Sequence, residues 1–501
     1  MNDANPEFKG SRVPPDDPRY PTLVRGFNQR WVGAPAYVQV CGDAAQVLET
    51  VQHAVDQKLR ITVRGGGHCY EDFVSGNYDG VIIDLSPLNS VYKDDRGLFC
   101  VEGGCTLWNV YTQLYKEYGR TIPGGSCYSV GAGGHVCGGG YGLLSRLHGL
   151  TVDYLQAVEL IRVNEHGKAE LITVSRDSKD ADERNLLWAH QGGGGGNFGV
   201  VTKYCFKDPP LAPSFASLAS IAWDWDKIDE DAFTELVTNY GNFLKEHSQV
   251  DSPYRSLFAL LHLTQKAAGQ IVLTIQNAGG EGDKVEKGGV VAEVIEAIRL
   301  SSLAHGPQRF SVGYHHIVPA ADQPRTMPWL EVTQTLDPSG PNQRGKYKSA
   351  YMIEPFPAHQ IDVMWNYLAN SSFQNSQALV QVDSYGCRIN AVAPDQTAVP
   401  QRSSIMKLQY QTYWTEPSQD EANLNWIREF YTAMYGPRGP IPDGTVDGCY
   451  VNYPDTDLKD WQYLYYKDNY PQLQHVKQRW DPLNIFNHQQ SIELPGSEPP
   501  A

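Results

Sequence analysis

The residues that depart furthest from an ordinary composition are glycines, and their placement is chemical. Gly131-Ala132-Gly133-Gly134-His135-Val136-Cys137-Gly138-Gly139-Gly140-Tyr141-Gly142 holds seven glycines in twelve residues, and Gly192 to Gly196 is an unbroken run of five. Glycine costs backbone entropy, so it gathers where φ must be positive or where something approaches the main chain closely. Two flexible loops are the plain alternative. Strand patterns on either side favour cradles of backbone N–H groups for an anionic, planar ligand such as a dinucleotide. The G-x-G-x-x-G match from Gly194 to Gly199 runs into Val200-Val201-Thr202-Lys203-Tyr204-Cys205-Phe206. That is a strand pattern where a Rossmann fingerprint must open a helix, so the match fails its context. Gly-x-x-x-x-Gly-Lys-Ser/Thr is absent, and Gly124-Gly125-Ser126-Cys127-Tyr128 carries Tyr where a nucleophile elbow needs its second Gly. His315-His316 has no third ligand at metal spacing. The acidic run Asp224, Asp226, Asp229, Glu230 and Asp231 lacks the central Gly of a calcium loop and reads as a solvated helix start. No metal is expected.

The elements that would position these runs alternate. Tyr37 to Val40 reads as a strand, Ala44 to Gln57 as a helix, and Ile61 to Val63 as a strand ending in Arg64-Gly65-Gly66-Gly67, a β-α-β unit. Strands follow at 80–85, 98–102, 157–163 and 169–174, with a helix at 107–118 between them. Pro209-Pro210-Leu211-Ala212-Pro213 marks a boundary. Beyond it, strands at 218–223, 254–263, 270–276, 377–383 and 406–414 with helices at 230–247 and 420–435 predict an antiparallel sheet covered by helices on one side. Residues 1 to about 30 read as a polar, Pro-rich arm with little regular structure, lying over the surface.

Composition bounds the rest. A chain of 501 residues, 41% hydrophobic and 20% charged, is globular, and its length predicts two or three packed units. A net charge of −16 excludes nucleic acid as a general partner. Nothing approaches a membrane span, and Met1 to Glu7 lacks a leader's basic and apolar regions, so a cytoplasmic address is expected. Nine cysteines are odd in number, spread along the chain and without C-x-x-C, which predicts mostly reduced, buried thiols.

Taken together, Arg64-Gly65-Gly66-Gly67-His68, Pro123-Gly124-Gly125-Ser126-Cys127-Tyr128-Ser129-Val130-Gly131-Ala132-Gly133-Gly134-His135, Tyr141-Gly142, Trp188-Ala189-His190-Gln191, Asn452-Tyr453-Pro454-Asp455 and the segment Asn484 to Ile492 resemble the berberine-bridge-enzyme-like flavoproteins of the vanillyl-alcohol-oxidase superfamily. The match spans about 28 to 492 and looks closest to members that oxidise sugars or glycosylated antibiotics. The resemblance implies FAD attached twice, through His68 to the 8α-methyl and through Cys127 to C6. It places Arg64, Gly65, Gly66, Gly67, Ser126, Gly131, Gly133, Gly134, Gly138, Tyr141, Gly142 and Asn487 along the cofactor, Asp153 and Val200 on its adenine or ribose side, and Val130 as a gate for oxygen whose small side chain implies an oxidase. Tyr453 matches the family's base, with Asp383 or Tyr385 as the second polar group; Tyr450 is a further candidate. Phenol titrates near ~10, so a working base needs a neighbouring positive charge or donors to its oxygen, or a proton transfer concerted with hydride loss. Arg402 reads as a carboxylate's partner more readily than a substrate contact, and Trp223, Trp225, Trp329, Trp365, Trp414 and Tyr410 as stacking surfaces for a sugar or aglycone, with some in the core.

The fold expected is α+β: an arm at 1–27, an FAD-binding domain of the vanillyl-alcohol-oxidase (PCMH) type at 28–208, a substrate domain with an antiparallel sheet covered by helices at 209–445, a segment returning to FAD at 446–492 and a tail at 493–501. The function expected is oxidation of an alcohol or hemiacetal carbon of a sugar or glycosylated natural product, with oxygen as second substrate and hydrogen peroxide as product. Alternatives are oxidative cyclisation of a terpenoid, alkaloid or polyketide, and a non-catalytic FAD- or glycan-binding protein. The oligomeric state, monomer or homodimer, is not legible.

Overall fold

In the computed structural model, residues 10–279, 289–311, 324–336, 342–370 and 372–496 are described. Three sheets organise them. The first runs Ser11–Val13, Tyr37–Val40, Val81–Asp84, Ile61–Arg64, with an antiparallel first pair and parallel neighbours after it. The helix Ala44–Asp56 links Tyr37–Val40 to Ile61–Arg64; Asp43 caps it by accepting the Gln46 N–H at 2.7 Å, and its apolar stripe buries Val47, Val51 and Ala54. The second sheet is antiparallel, in the order Val91–Lys93, Phe99–Glu102, Val200–Phe206, Leu155–Val163, Ala169–Ser175. Cys100 and Cys205, directly opposed on its neighbouring strands, form a disulfide, while the other seven cysteines are thiols.

The third sheet has eight strands. Its order is Gly306–Pro307, Phe215–Asp224, Gln270–Ala278, Leu257–Thr264, Leu379–Ser384, Met406–Trp414, Arg344–Met352, with Arg325–Pro328 also pairing with Phe215–Asp224. The period of two decides what each face does. Along Met406–Trp414, Tyr410 packs edge-on against Phe430, Tyr431 and Tyr435 of the helix Asp420–Tyr435. Gln409, Gln411 and Tyr413 line a cavity on the other face. The helices Glu230–Glu246 and Ala358–Leu368 join Asp420–Tyr435. This is the mixed α+β architecture expected.

Two regions differ from the sequence reading. The arm carries regular structure: Ser11–Val13 adds a strand, and Phe27 lines the cavity and donates its N–H to Gly67 O at 2.7 Å. Proline spacing hid this, because edge strands tolerate proline nearby. The strand Arg344–Met352 was hidden by Arg344, Lys346 and Lys348, charged residues that break an apolar alternation yet are largely buried here. His315 and His316 lie outside the described residues.

Candidate active site

A cavity of about 390 Å³ opens between the first two sheets and the eight-stranded sheet. Its floor is backbone. Arg64 to His68 leaves the strand Ile61–Arg64, and Gly131, Gly133, Gly134 and Gly194 to Gly199 complete it. The main chains here nearly touch: a Cβ on Gly66 would lie 2.2 Å from the Gly131 nitrogen, and one on Gly131 2.2 Å from the Gly66 nitrogen. At Gly134, by contrast, a Cβ would meet nothing within 4 Å, because that glycine faces open space. The Gly66–Gly131 pair is required by packing, whereas Gly134 leaves room for a ligand.

His68 and Cys127 come together at one wall. His68 Nε2 lies 2.9 Å from Ser129 Oγ, and Cys127 Sγ lies 3.7 Å from the same hydroxyl. Phe27 stacks on the His68 ring with centroids 4.5 Å apart. The Gly125 peptide, two residues before Cys127, is held on both sides: its N–H donates to His135 Nε2 at 3.2 Å and its carbonyl accepts from Tyr111 Oη at 2.6 Å. His135 can accept because burial keeps it neutral, its pKa lowered to about 4.

Opposite stands the chemistry-bearing roof. Lys407 Nζ donates to Tyr453 Oη at 3.0 Å and pairs with Asp383, its cross-strand neighbour. The ammonium also lies 4.4 Å from the Tyr453 ring centroid and 4.7 Å from that of Tyr141. Lys407 is 0% exposed, so its charge is little screened. Burial, and next the Asp383 carboxylate, push the Tyr453 phenol well above its ordinary 10. The Lys407 hydrogen bond opposes that push, and Asp383 neutralises much of what Lys407 supplies. Beside this relay, amides face the cavity: Gln409 Nε2 donates to Tyr70 Oη at 3.0 Å, Tyr413 Oη donates to Gln411 Oε1 at 2.6 Å, and Gln381 Nε2 donates to Asp383 Oδ1 at 2.6 Å.

The cavity wall also takes in Ser126, Val130, Tyr141, Gly142, Val200, Tyr450 and Asn487. Other expected residues lie elsewhere. Tyr385 follows the end of its strand, before a turn with positive φ at Gly386 and Cys387; its hydroxyl donates to Gln401 O at 3.1 Å and its ring lies behind Tyr141. It is not a lining residue, whereas Asp383 lines the cavity and pairs with Lys407 beside Tyr453. Asp153 is taken by Arg402 at 2.8 Å and by the Leu150 N–H, away from the cavity. Gly138 packs under Asn452, whose Oδ1 a Cβ would meet at 2.0 Å. Trp223, Trp225, Trp329, Trp414 and Tyr410 are buried in the core and Trp365 packs against it, so none is a stacking surface; the aromatics that line the cavity beside the roof include Tyr70, Tyr413, Tyr450 and Tyr453. Sequence reasoning missed Lys407, Tyr70 and the three glutamines. Their signal was the alternation Lys407, Gln409, Gln411, which puts polar groups on a face that the cavity, not water, occupies.

A backbone floor with an open-facing glycine, and a roof of donors and acceptors, fit a flavin dinucleotide. The comparisons agree. The family described as FAD binding domain matches residues 35–168, and that described as Berberine and berberine like matches residues 449–493. The chain is 39% identical to a hexose oxidase of Chondrus crispus, covering 95% of this chain and 93% of that one. It is 40% identical to an aclacinomycin-N/aclacinomycin-A oxidase of Streptomyces galilaeus, covering 96% and 89%. A glycopeptide hexose oxidase solved with teicoplanin superimposes with a TM-score of 0.89 at 36% identity, over 98% of this chain and 100% of that one.

Proposed function

The chain belongs to the berberine-bridge-enzyme-like family of FAD-linked oxidoreductases, and from that membership we propose that it is an oxidase of sugars or glycosylated natural products that acts on a CH–OH carbon. FAD, when bound, supplies the hydride acceptor and, with oxygen, the return to the oxidised state. Arg64 to Gly67 and the glycines at 131, 133 and 134 hold it by backbone, and His68 and Cys127 attach it covalently.

The protein's own work is proton transfer and positioning. Tyr453 takes the hydroxyl proton of the substrate in its phenolate form, and Lys407, donating to the phenol oxygen, favours that charged form by setting a fixed ammonium beside it. Asp383 orients Lys407 and, by neutralising it, favours the neutral phenol, so the phenolate that accepts the substrate proton forms by losing the phenol proton to solvent as pH rises. Gln381, Gln409 and Gln411 offer donors and acceptors spaced as cross-strand neighbours, which suits several hydroxyls in a row. That amide row beside Tyr453 is the observation that carries the sugar reading; a terpenoid or alkaloid calls for an apolar roof.

Val130, at the wall beside Cys127, is read as the oxygen gate that makes the enzyme an oxidase. Among the described residues no helix is long and apolar enough to cross a membrane. The cytoplasmic address is part of this reading, and the Cys100–Cys205 disulfide is the observation against it; cell fractionation decides. The test of function is purification, acid denaturation and mass of the flavin-bearing peptides, followed by a panel of hexoses and glycosides under peroxide detection. Colour that stays with the His68 and Cys127 peptides, with peroxide formed from a sugar, is expected. A colourless pellet removes the double attachment, and a panel silent throughout removes the sugar.

A further inference from the structure

Behind the site, on the far side of the roof's edge strand, lies a buried cluster of charges that proton transfer does not use. Lys346 Nζ contacts Glu71 Oε1 at 2.6 Å and Asp455 Oδ1 at 2.7 Å. Lys348 Nζ contacts Asp455 Oδ2 at 2.7 Å and Asp457 Oδ2 at 2.9 Å, and Arg428 closes on Asp457 at 2.8 Å. The side chains of Lys346, Glu71, Asp455 and Lys348 are 1–3% exposed.

The plain reading is edge protection, since lysines on an edge strand deter pairing with another chain. Lysines that do this face water, and these do not. Stability is a poor reason as well: desolvating an ion cluster costs as much as the attraction returns, and an apolar replacement is often neutral or better. What the cluster does that apolar packing cannot is fix direction between separate segments. Glu71 stands three residues after His68, and Asp455 two residues after Tyr453. Lys346 joins both carboxylates to one strand, and the Thr456 N–H donates back to Glu71 Oε1 at 3.4 Å.

We propose that the Glu71–Lys346–Asp455 ion cluster is a strut that fixes the Tyr453 loop relative to the His68 loop, making Lys346 a positioning residue that sets the distance between the base and the attached flavin. The inference rests on the reading of Tyr453 and His68 given above. Tyr453 is reached through a loop, not a regular strand, so its placement depends on what holds that loop. The strand Arg344–Met352 is anchored along its length by nine cross-strand pairs to Met406–Trp414, which carries Lys407. Through Lys346 the same rigid frame therefore registers the base, its cationic partner and the flavin anchor.

The test uses the full-length, flavin-loaded enzyme. Lys346→Met keeps the stem and removes the charge. Hydrogen exchange read by mass spectrometry should then quicken about tenfold or more in both 68–73 and 450–457, with Met406–Trp414 unchanged. Reduction of the flavin by D-glucose at saturation should fall about 10²-fold, the cost of a misplacement near ~1 Å, with KM little moved. Lys346→Arg, which keeps the charge, should restore both readouts. If only one loop loosens, if neither does, or if the rate falls only in proportion to lost flavin, the strut is wrong. Should Lys346→Met fail to fold, Glu71→Gln, which weakens the same link from the other loop, is read by the same exchange criterion. Tyr453→Phe runs alongside. Normal flavin reduction in that variant removes the base reading and leaves exchange to decide the strut, whereas a silent Tyr453→Phe with an unchanged Lys346→Met removes the strut alone.

Discussion

The floor and the roof of the cavity are built by opposite means. The floor works with backbone: Gly66 and Gly131 approach so closely that neither tolerates a Cβ, and Gly134 leaves open space. The roof works with side chains projected from a pleated sheet, where Lys407 meets Asp383 because their strands pair in that register. Backbone recognition demands a residue type, glycine, at fixed positions. Side-chain recognition on a sheet demands only alternation and register, and many sequences satisfy it. Cofactor binding can therefore stay constant while the roof is redrawn for a different substrate.

The largest break in this comparison is expected at Tyr453. Tyr453→Phe removes the proposed proton acceptor and leaves the floor intact, so flavin reduction by substrate should slow about 10²- to 10⁴-fold with FAD still attached; stopped-flow reduction with the flavin spectrum as control measures both. Next come the charges around it. A phenol held above 10 by burial and Asp383 is an active base only as pH rises, so the reduction rate of the parent should climb from neutral into the alkaline range. Asp383→Asn leaves Lys407 uncompensated and should move that climb to lower pH. Lys407→Met should move it to higher pH and slow the neutral reaction about 10- to 10²-fold. Shifts in the same direction for both variants would dismantle the relay.

The same contrast explains what was legible in the sequence. The helix Leu107–Tyr118, capped by Thr106 and ended by Gly119 at φ 63, and the helix Asp420–Tyr435 stand where their periodicity put them. The strand Met406–Trp414 also has its expected bounds. The glycine runs announced a ligand floor before any family was in view. Lys407 did not announce itself, because a lysine in a strand is ordinarily a solvated residue, and only the pairing of Met406–Trp414 with Leu379–Ser384 sets it against Asp383. Asp383 and Tyr385 looked equivalent, two apart on one strand. They are not, since the strand ends at Ser384 and the chain turns at Gly386 and Cys387. Phe27 was hidden in an arm whose order comes from long-range contacts to Gly67 and His68, which no local pattern encodes.

On the floor the sharpest test is Gly131→Ala. The added carbon would fall 2.2 Å from the Gly66 nitrogen, which belongs to backbone and cannot rotate away. Overpacking of this kind costs about 1–3 kcal/mol, and here it also parts the two strips proposed to hold the cofactor. Lower flavin content and a lower unfolding midpoint are expected together. Gly134→Ala, whose Cβ meets nothing of the protein, should keep the fold and lose flavin only. If both variants unfold alike, the distinction between packing glycines and ligand-facing glycines fails.

An effect confined to acid separates floor from roof by the pH range in which it acts. Burial lowers His135 and His190 to about 4 from the usual 6.5. Between those values the unfolded chain binds protons that the folded one refuses, so stability is full above pH 6.5 and is lost as pH falls toward 4, by about 3 kcal/mol per histidine. At His135 the proton would also take the lone pair that accepts the Gly125 N–H, loosening the segment that carries Cys127. Acid should therefore undo the floor in a range where the roof's phenol is already protonated and has nothing further to lose. His135→Gln keeps an acceptor without the titration, and its unfolding midpoint should fall less steeply than the parent's between pH 6.5 and 5. Equal slopes for the two proteins would mean that the acid sensitivity resides elsewhere.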